Sequence, residues 1–303
     1  MSMNKYSIGN YINLVREYQG IKQEMLASDT NISRTLLSKI ENGKEQGNEQ
    51  IIRSLLNQLG IDYDEYIIRK KWMKEELGKI HKSVMYGNSN YVSIVNEVIE
   101  EVEKNILLSF YSSYKLIMMI ISYKDGENKS FVRWIDLLSQ NEKQFDDFEK
   151  AIYNDFLSIK LMEENNYDES LNILSSISTL NLPKYMCGMI EYHIGTVYHY
   201  VNNYYMSAKH LEKAVELFAI SQNFNKIVYS QILIADAFFK TGNYKPALDM
   251  LENSLEVAYN IANIEIAVVI LNNLAWYSAL AGNYEKAILW TEKALVHDNT
   301  RAD

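Results

Sequence analysis

Proline is almost missing from this chain, with two in 303 residues, and glycine is sparse at twelve. So few breakers exclude a many-turned β-fold and leave long helices. Cysteine occurs once, at Cys187, which excludes an internal disulfide. Its expected role is that of a small apolar side chain, part of the packing. Long apolar runs are also absent: the greasiest stretch, Leu116–Ile121, is far too short to span a bilayer, and no basic-then-apolar leader opens the sequence. The expectation is a cytoplasmic protein with no membrane partner. Catalytic signatures are missing too. There is no P-loop, no G-x-S-x-G and no H-E-x-x-H. The five histidines (His81, His193, His199, His210, His297) show no metal-ligand spacing. An enzyme, a bound metal and a cofactor are therefore not expected.

Basic charge is scarce overall: the net charge is −9. Its distribution matters more than its sum. Residues 1–71 carry ten Lys/Arg and nine Asp/Glu, whereas residues 72–303 carry 20 and 30. An acidic body with a near-neutral head suits a small DNA-reading module on a larger domain, and it excludes a protein that coats DNA with its whole surface. The length also favours two domains, expected at 1–71 and 72–303.

Apolar periodicity in the head predicts five helices. Ile8, Tyr11, Ile12 and Val15 share one face of the first. Gln23–Ser28 reads as a short second helix with Met25 and Leu26 inward, and Asn31 suits a left-handed turn. Ser33 caps a third helix whose buried face is Leu36, Leu37 and Ile40. Ile51, Ile52, Leu55, Leu56 and Leu59 mark a fourth, and Asp62 with Glu65 forms a capping-box start to a fifth. A tight turn between the second and third helices is what places a helix in the major groove. The polar side of the third helix then offers Arg34, Thr35, Ser38 and Lys39 to base edges. Gln23, Ser33, Asn42 and Lys44 are candidates for phosphate contacts that fix register.

The segment QEMLASDTNISRTLLSKIENGK, residues 23–44, resembles the helix-turn-helix of the Xre or lambda-repressor-like regulators. The small Ala27, the Ile32-Ser33 pair and the SKIENG tail fall at that family's spacing, and the likeness covers about residues 7–68. Two features depart from it: Asn31 replaces the usual glycine, and KEQGNEQ follows Gly43 where a basic residue and proline are common.

The body is repetitive. NNYDESLNIL, NNYYMSAKHLEKAVELF, GNYKPALDMLENSLEVA and GNYEKAILWTEKALVHD are versions of one segment, with Tyr167, Tyr204, Tyr244 and Tyr284 spaced 37, 40 and 40 apart. Compact residues recur at three registers around them. Ser158, Gly195, Ala235 and Ala275 precede; Ser170, Ser207, Ala247 and Ala287 follow, and then Ile177, Ala214, Ser254 and Ala294. Helix pairs repeated in this way must stack, because one unit cannot bury its own apolar face. Degenerate units are expected around Tyr91 and around DGENKSFVRWIDLL. The units resemble tetratricopeptide repeats lengthened to about 40 residues. The implied fold class is all-α: a lambda-repressor-like helix-turn-helix followed by a right-handed tetratricopeptide-like solenoid. That resemblance implies a concave wall built from the first helix of each pair. Carried over position by position, the wall holds Asp155, Ile159, Met162, Tyr192, Thr196, His199, Tyr229, Ile232, Asp236, Phe239, Asn272, Trp276 and Ala279. Of these, Asp155, Tyr192, Thr196, His199, Tyr229, Asp236, Phe239, Asn272 and Trp276 are the expected peptide contacts. Asp155 and Asp236 together would favour a ligand with a positive group.

The order of the two parts resembles the Rgg/PlcR/PrgX group of peptide-pheromone-responsive regulators, and LLNQLGIDYDEYI after the head points to the Rgg branch. The resemblance implies quorum sensing: a short signalling peptide in the groove, operator DNA under the heads, and a homodimer whose head presentation the peptide changes. A ligand achieves this only by favouring one arrangement over another. The alternative is a helix-turn-helix regulator whose repeats are a protein–protein docking scaffold with no small ligand.

Overall fold

The computed structural model describes residues 7–140, 142 and 145–299. Every regular element among the described residues is helical. The chain divides into two compact units, Met1–Phe156 and Leu157–Asp303.

The first unit begins with α1 (Ser7–Tyr18), α2 (Gln23–Asp29), α3 (Arg34–Glu41) and α4 (Glu49–Gln58). The local chemistry of each start and stop is visible. Ser33 accepts a hydrogen bond from the Leu36 amide, Asn48 from Ile51 and Asp62 from Glu65. Asn31 takes the left-handed backbone at φ 55° that lets α2 turn into α3. Ile8, Tyr11, Ile12 and Val15 are buried as the periodicity predicts. Gly9 shows why α1 carries glycine on this face: an added Cβ would lie 1.9 Å from the Ile40 carbonyl oxygen, so α1 rests on the backbone of α3. One expectation fails. Met25 is exposed, because the buried arc of the seven-residue α2 is Leu26 and Ala27, and residue 25 lies off it beside exposed Glu24.

The expected division at 71/72 falls inside α5 (Tyr63–Tyr86), a single 24-residue helix that serves the head and continues beyond it. It is followed by α6 (Tyr91–Lys104), a 3-10 turn (Ile106–Phe110), α7 (Ser112–Lys124) and α8 (Asn128–Ser139), with α5 packing on both α6 and α7. The two degenerate repeats are thus helix pairs. The head is tied to them by rings. Tyr11 of α1, Tyr66 of α5 and Tyr111 lie within 5.5 Å of one another by centroid, and the Tyr111 hydroxyl donates to the Tyr66 carbonyl at 3.2 Å. Burial pushes the Tyr11 hydroxyl up to about 12.

From α9 (Asp147–Glu163) onward the pairs become regular: α10 (Tyr167–Ser178), α11 (Lys184–Tyr200), α12 (Tyr204–Ile220), α13 (Phe224–Lys240), α14 (Tyr244–Asn260), α15 (Ile264–Leu280) and α16 (Tyr284–Asn299). Each repeat tyrosine is the first residue of the second helix of its pair. The asparagine before it stands at the cap, and the residue before that is left-handed: Asn165, Asn202, Gly242 or Gly282. The motif therefore encodes a turn, with the tyrosine opening the second helix. The compact registers are packing positions except at Ala275 and Ala287 of the last pair, which are only half-buried. Ser158, Ala235, Ser170, Ser207, Ala247, Ile177, Ala214 and Ser254 are all buried, and a Cβ on Gly195 would meet the Leu211 side chain at 2.6 Å. In the second unit α11 packs on α13 and α13 on α15, so the first helices of successive pairs line up side by side.

Candidate functional site

The predicted DNA-facing residues come together in the head. Gln23, Arg34, Thr35, Ser38, Lys39, Asn42 and Lys44 line one open concavity of about 350 Å³. Ser33, the eighth, does not line it; its hydroxyl oxygen caps α3 by accepting from the Leu36 amide at 3.1 Å, a bond that does not use the hydroxyl proton. Beneath the concavity lies a charge that sequence reading missed. Glu41 is buried, and its two oxygens accept from Arg16 Nε at 2.6 Å and Nη2 at 3.0 Å. Gln23 Nε2 donates to the same carboxylate at 2.8 Å, and the Gln23 carbonyl accepts from Arg34 Nε at 3.3 Å. A chain of hydrogen bonds thus runs from the α1–α3 core to the exposed guanidinium at the start of α3. The signal was available: a carboxylate next to Ile40, in the buried arc of a helix, needs a partner.

The expected ligand contacts divide. Asp155 is buried at 3% exposure in the first unit. The other eight lie in the second. Of these, Tyr192, Thr196 and His199 sit on α11, Tyr229, Asp236 and Phe239 on α13, and Asn272 and Trp276 on α15. Several already engage one another. His199 Nε2 lies 2.9 Å from an Asp236 oxygen, and the Tyr277 hydroxyl of α15 donates to the other. Burial works against the Asp236 charge, but the hydrogen bonds from His199 and Tyr277 outweigh it and hold the carboxyl below its ordinary range. Phe239 stacks on Tyr277 with centroids 4.0 Å apart. The Thr196 hydroxyl donates to the Tyr192 carbonyl at 2.8 Å, and Lys226 sits 4.8 Å over the Tyr192 ring and 5.8 Å from Tyr229. Asn272 and Trp276, by contrast, are open, with Trp276 63% exposed. Tyr277 and Lys226 lie off the registers carried over from the repeat family and so were not anticipated.

Among the described residues, no group of three or more His, Cys, Asp and Glu side chains could hold a metal ion. No helix among them is long and apolar enough to cross a membrane.

Comparison with known proteins gives one family match and several relatives. A family described as "Helix-turn-helix domain" matches residues 9–71. A curated relative, response regulator aspartate phosphatase H of Bacillus subtilis (strain 168), is 26% identical over 231 residues, which is 72% of this chain and 59% of the relative. The chain therefore spans about three fifths of that relative's length. The structure of a Rap protein complexed with Competence and Sporulation Factor superposes with a TM-score of 0.64 at 12% identity, covering 76% of this chain and 67% of that one. NprR in complex with its cognate peptide NprX gives 0.61 at 19% identity, covering 74% and 67%. At these identities the structural matches establish the fold. The class is an Xre-type helix-turn-helix followed by tetratricopeptide-like repeats. Within that fold, the chain is similar to a Rap protein and to NprR, solved in complex with Competence and Sporulation Factor and with a cognate peptide respectively.

Proposed function

We propose that this protein is a cytoplasmic, DNA-binding transcription regulator whose operator affinity is set by a short signalling peptide. Two heads of a homodimer would read half-sites about one helical turn apart, roughly 34 Å. What supports DNA binding is the shared concavity on the capped face of α3, lined by Gln23, Arg34, Thr35, Ser38, Lys39, Asn42 and Lys44. In this reading Arg34, Thr35, Ser38 and Lys39 meet base edges, while Gln23, Ser33, Asn42 and Lys44 hold phosphates. What supports peptide sensing is the row of first helices α11, α13 and α15, together with a fold shared with NprR, whose complex contains a cognate peptide. Asn272 would bond the peptide backbone and Trp276 would cover an apolar side chain. The remaining wall positions (Asp155, Tyr192, Thr196, His199, Tyr229, Asp236, Phe239) are proposed as contacts or as supports of contacts. The regulated event is binding, so no catalytic residue, metal or cofactor is assigned.

The experiment is to select an operator from random duplexes with the purified protein. Short synthetic peptides are then titrated while operator affinity and melting temperature are followed. A peptide that moves both, with the shift abolished by Asn272→Ala or Trp276→Ala and basal binding kept, is the expected result. The curated relative's name gives the alternative a definite form, namely repeats that dock a response regulator. Specific operator binding that no peptide alters, combined with capture of a purified response regulator, would favour that scaffold.

A further inference from the structure

Two of the three cations on the DNA-facing concavity, Arg34 and Lys39, are already paired with carboxylates that no DNA contact requires. Arg34 Nη1 lies 2.7 Å from Glu24 on α2, and Lys39 Nζ lies 3.2 Å from Glu45 in the segment after α3. All four side chains are well exposed, between 45% and 67%. The pairs therefore stabilise the fold little, and their position on the DNA-facing side calls for another account. The head as a whole carries ten basic and nine acidic residues, so it has almost no net charge with which to hold a phosphate backbone.

We propose that Glu24 and Glu45 are specificity-determining residues that work by competition. The inference rests on the DNA-binding reading and says how that same face discriminates. For Arg34 or Lys39 to contact DNA, each must give up its carboxylate. A guanine edge, offering O6 and N7 in a fixed geometry, replaces what is lost. A phosphate met at a non-cognate sequence replaces it poorly, because the carboxylate left behind faces that phosphate. The cost is therefore paid in full on any duplex and recovered only on the right one. Gln23 strengthens the device. Its amide is fixed by buried Glu41 and accepts from Arg34 Nε, so the guanidinium leaving Glu24 stays aimed from the base of α3.

The test uses the full-length protein with Glu24→Gln, Glu45→Gln and the double variant. The control is Glu65→Gln, which makes the same charge change on α5, where Glu65 pairs with Arg69. Affinity is measured for the selected operator and for a scrambled duplex of equal length and composition, across a salt series. Each DNA-face variant should bind the scrambled duplex about two- to fivefold more tightly, the range of one exposed ion pair, while the operator changes less. The slope of log affinity on log salt for the scrambled duplex should steepen by up to about one. Unchanged melting temperatures would show that the fold is not the cause. The inference is overturned if operator and scrambled duplex strengthen equally, if neither strengthens, or if Glu65→Gln has the same effect. A wild-type protein that selects no operator at all would instead remove the DNA-binding reading, and this inference with it.

Discussion

A single buried carboxylate organises the head. Glu41 occupies a position that its helix turns into the core, and it is tolerable there because Arg16 and Gln23 satisfy it on three sides. Removing one member of a buried pair leaves an uncompensated charge, whereas replacing both with apolar groups is often neutral. Glu41→Ala should therefore destabilise the head by about 3–5 kcal/mol, read as faster hydrogen exchange in α1 and α3. The double change Arg16→Met with Glu41→Leu should restore most of the protection. Equal losses from the single and double variants would mean that the pair does not act as a unit. At this scale the sequence was legible for apolar positions and caps, since Ile12, Val15, Leu37 and Ser33 behave as their spacing and chemistry require. It was silent on which polar side chains bond one another. Arg16 and Glu41 are 25 positions apart, and His199 and Asp236 are 37 apart, so only the packing of different helices brings them together.

Between residues and the whole chain stand the helix pairs. Their turns carry a cost that can be tested. Ala262 holds φ 52° and Gln222 φ 57° in turns between pairs, the left-handed backbone that the turns within pairs give to glycine or asparagine. A side chain with a Cβ is strained there, by about 1 kcal/mol. Ala262→Gly should raise stability by about that amount, and Gln222→Gly by less, since the glutamine aliphatic stem is also lost. A rise in denaturant midpoint with unchanged slope is the signature. The fastening between pairs is pH-dependent. Asp236 joins α13 to His199 of α11 and Tyr277 of α15, and its carboxyl is held below the ordinary range. A depressed folded value contributes stability above the ordinary carboxylate range and loses it as pH falls through the folded value. Asp236→Asn should therefore cost about 2 kcal/mol near neutrality, and the gap to wild type should close on acidification. A gap that stays constant down to pH 3 would show that the carboxylate form contributes nothing. The repeat units themselves could be read from tyrosine spacing and compact registers. The motif tyrosine proved to mark the start of the second helix, and the asparagine before it carries the turn.

Across the whole molecule the helix-turn-helix part has no sharp end. The helix-turn-helix match stops at residue 71, but α5 runs on to Tyr86, and α1 packs on the turn at Ile106–Phe110. Tyr111, forty positions past the match, closes a buried cluster with Tyr11 and Tyr66, and Phe110 meets Tyr18 edge-on at 5.6 Å. A helix-turn-helix on a loose tether would be indifferent to the helices beyond it. This one shares its core with the first helix pairs, so a change in those pairs reaches α1 directly through packed rings. Truncating a buried aromatic side chain costs about 3–5 kcal/mol, and Tyr111→Ala should deliver much of that cost to the head. Amides of α1 should exchange faster, and operator affinity should fall although no DNA-facing residue has changed. If α1 exchange and DNA affinity both stay at wild-type levels while residues 106–124 loosen, the head folds independently of the repeats. A peptide signal would then need some route to α3 other than the Tyr11–Tyr66–Tyr111 contact.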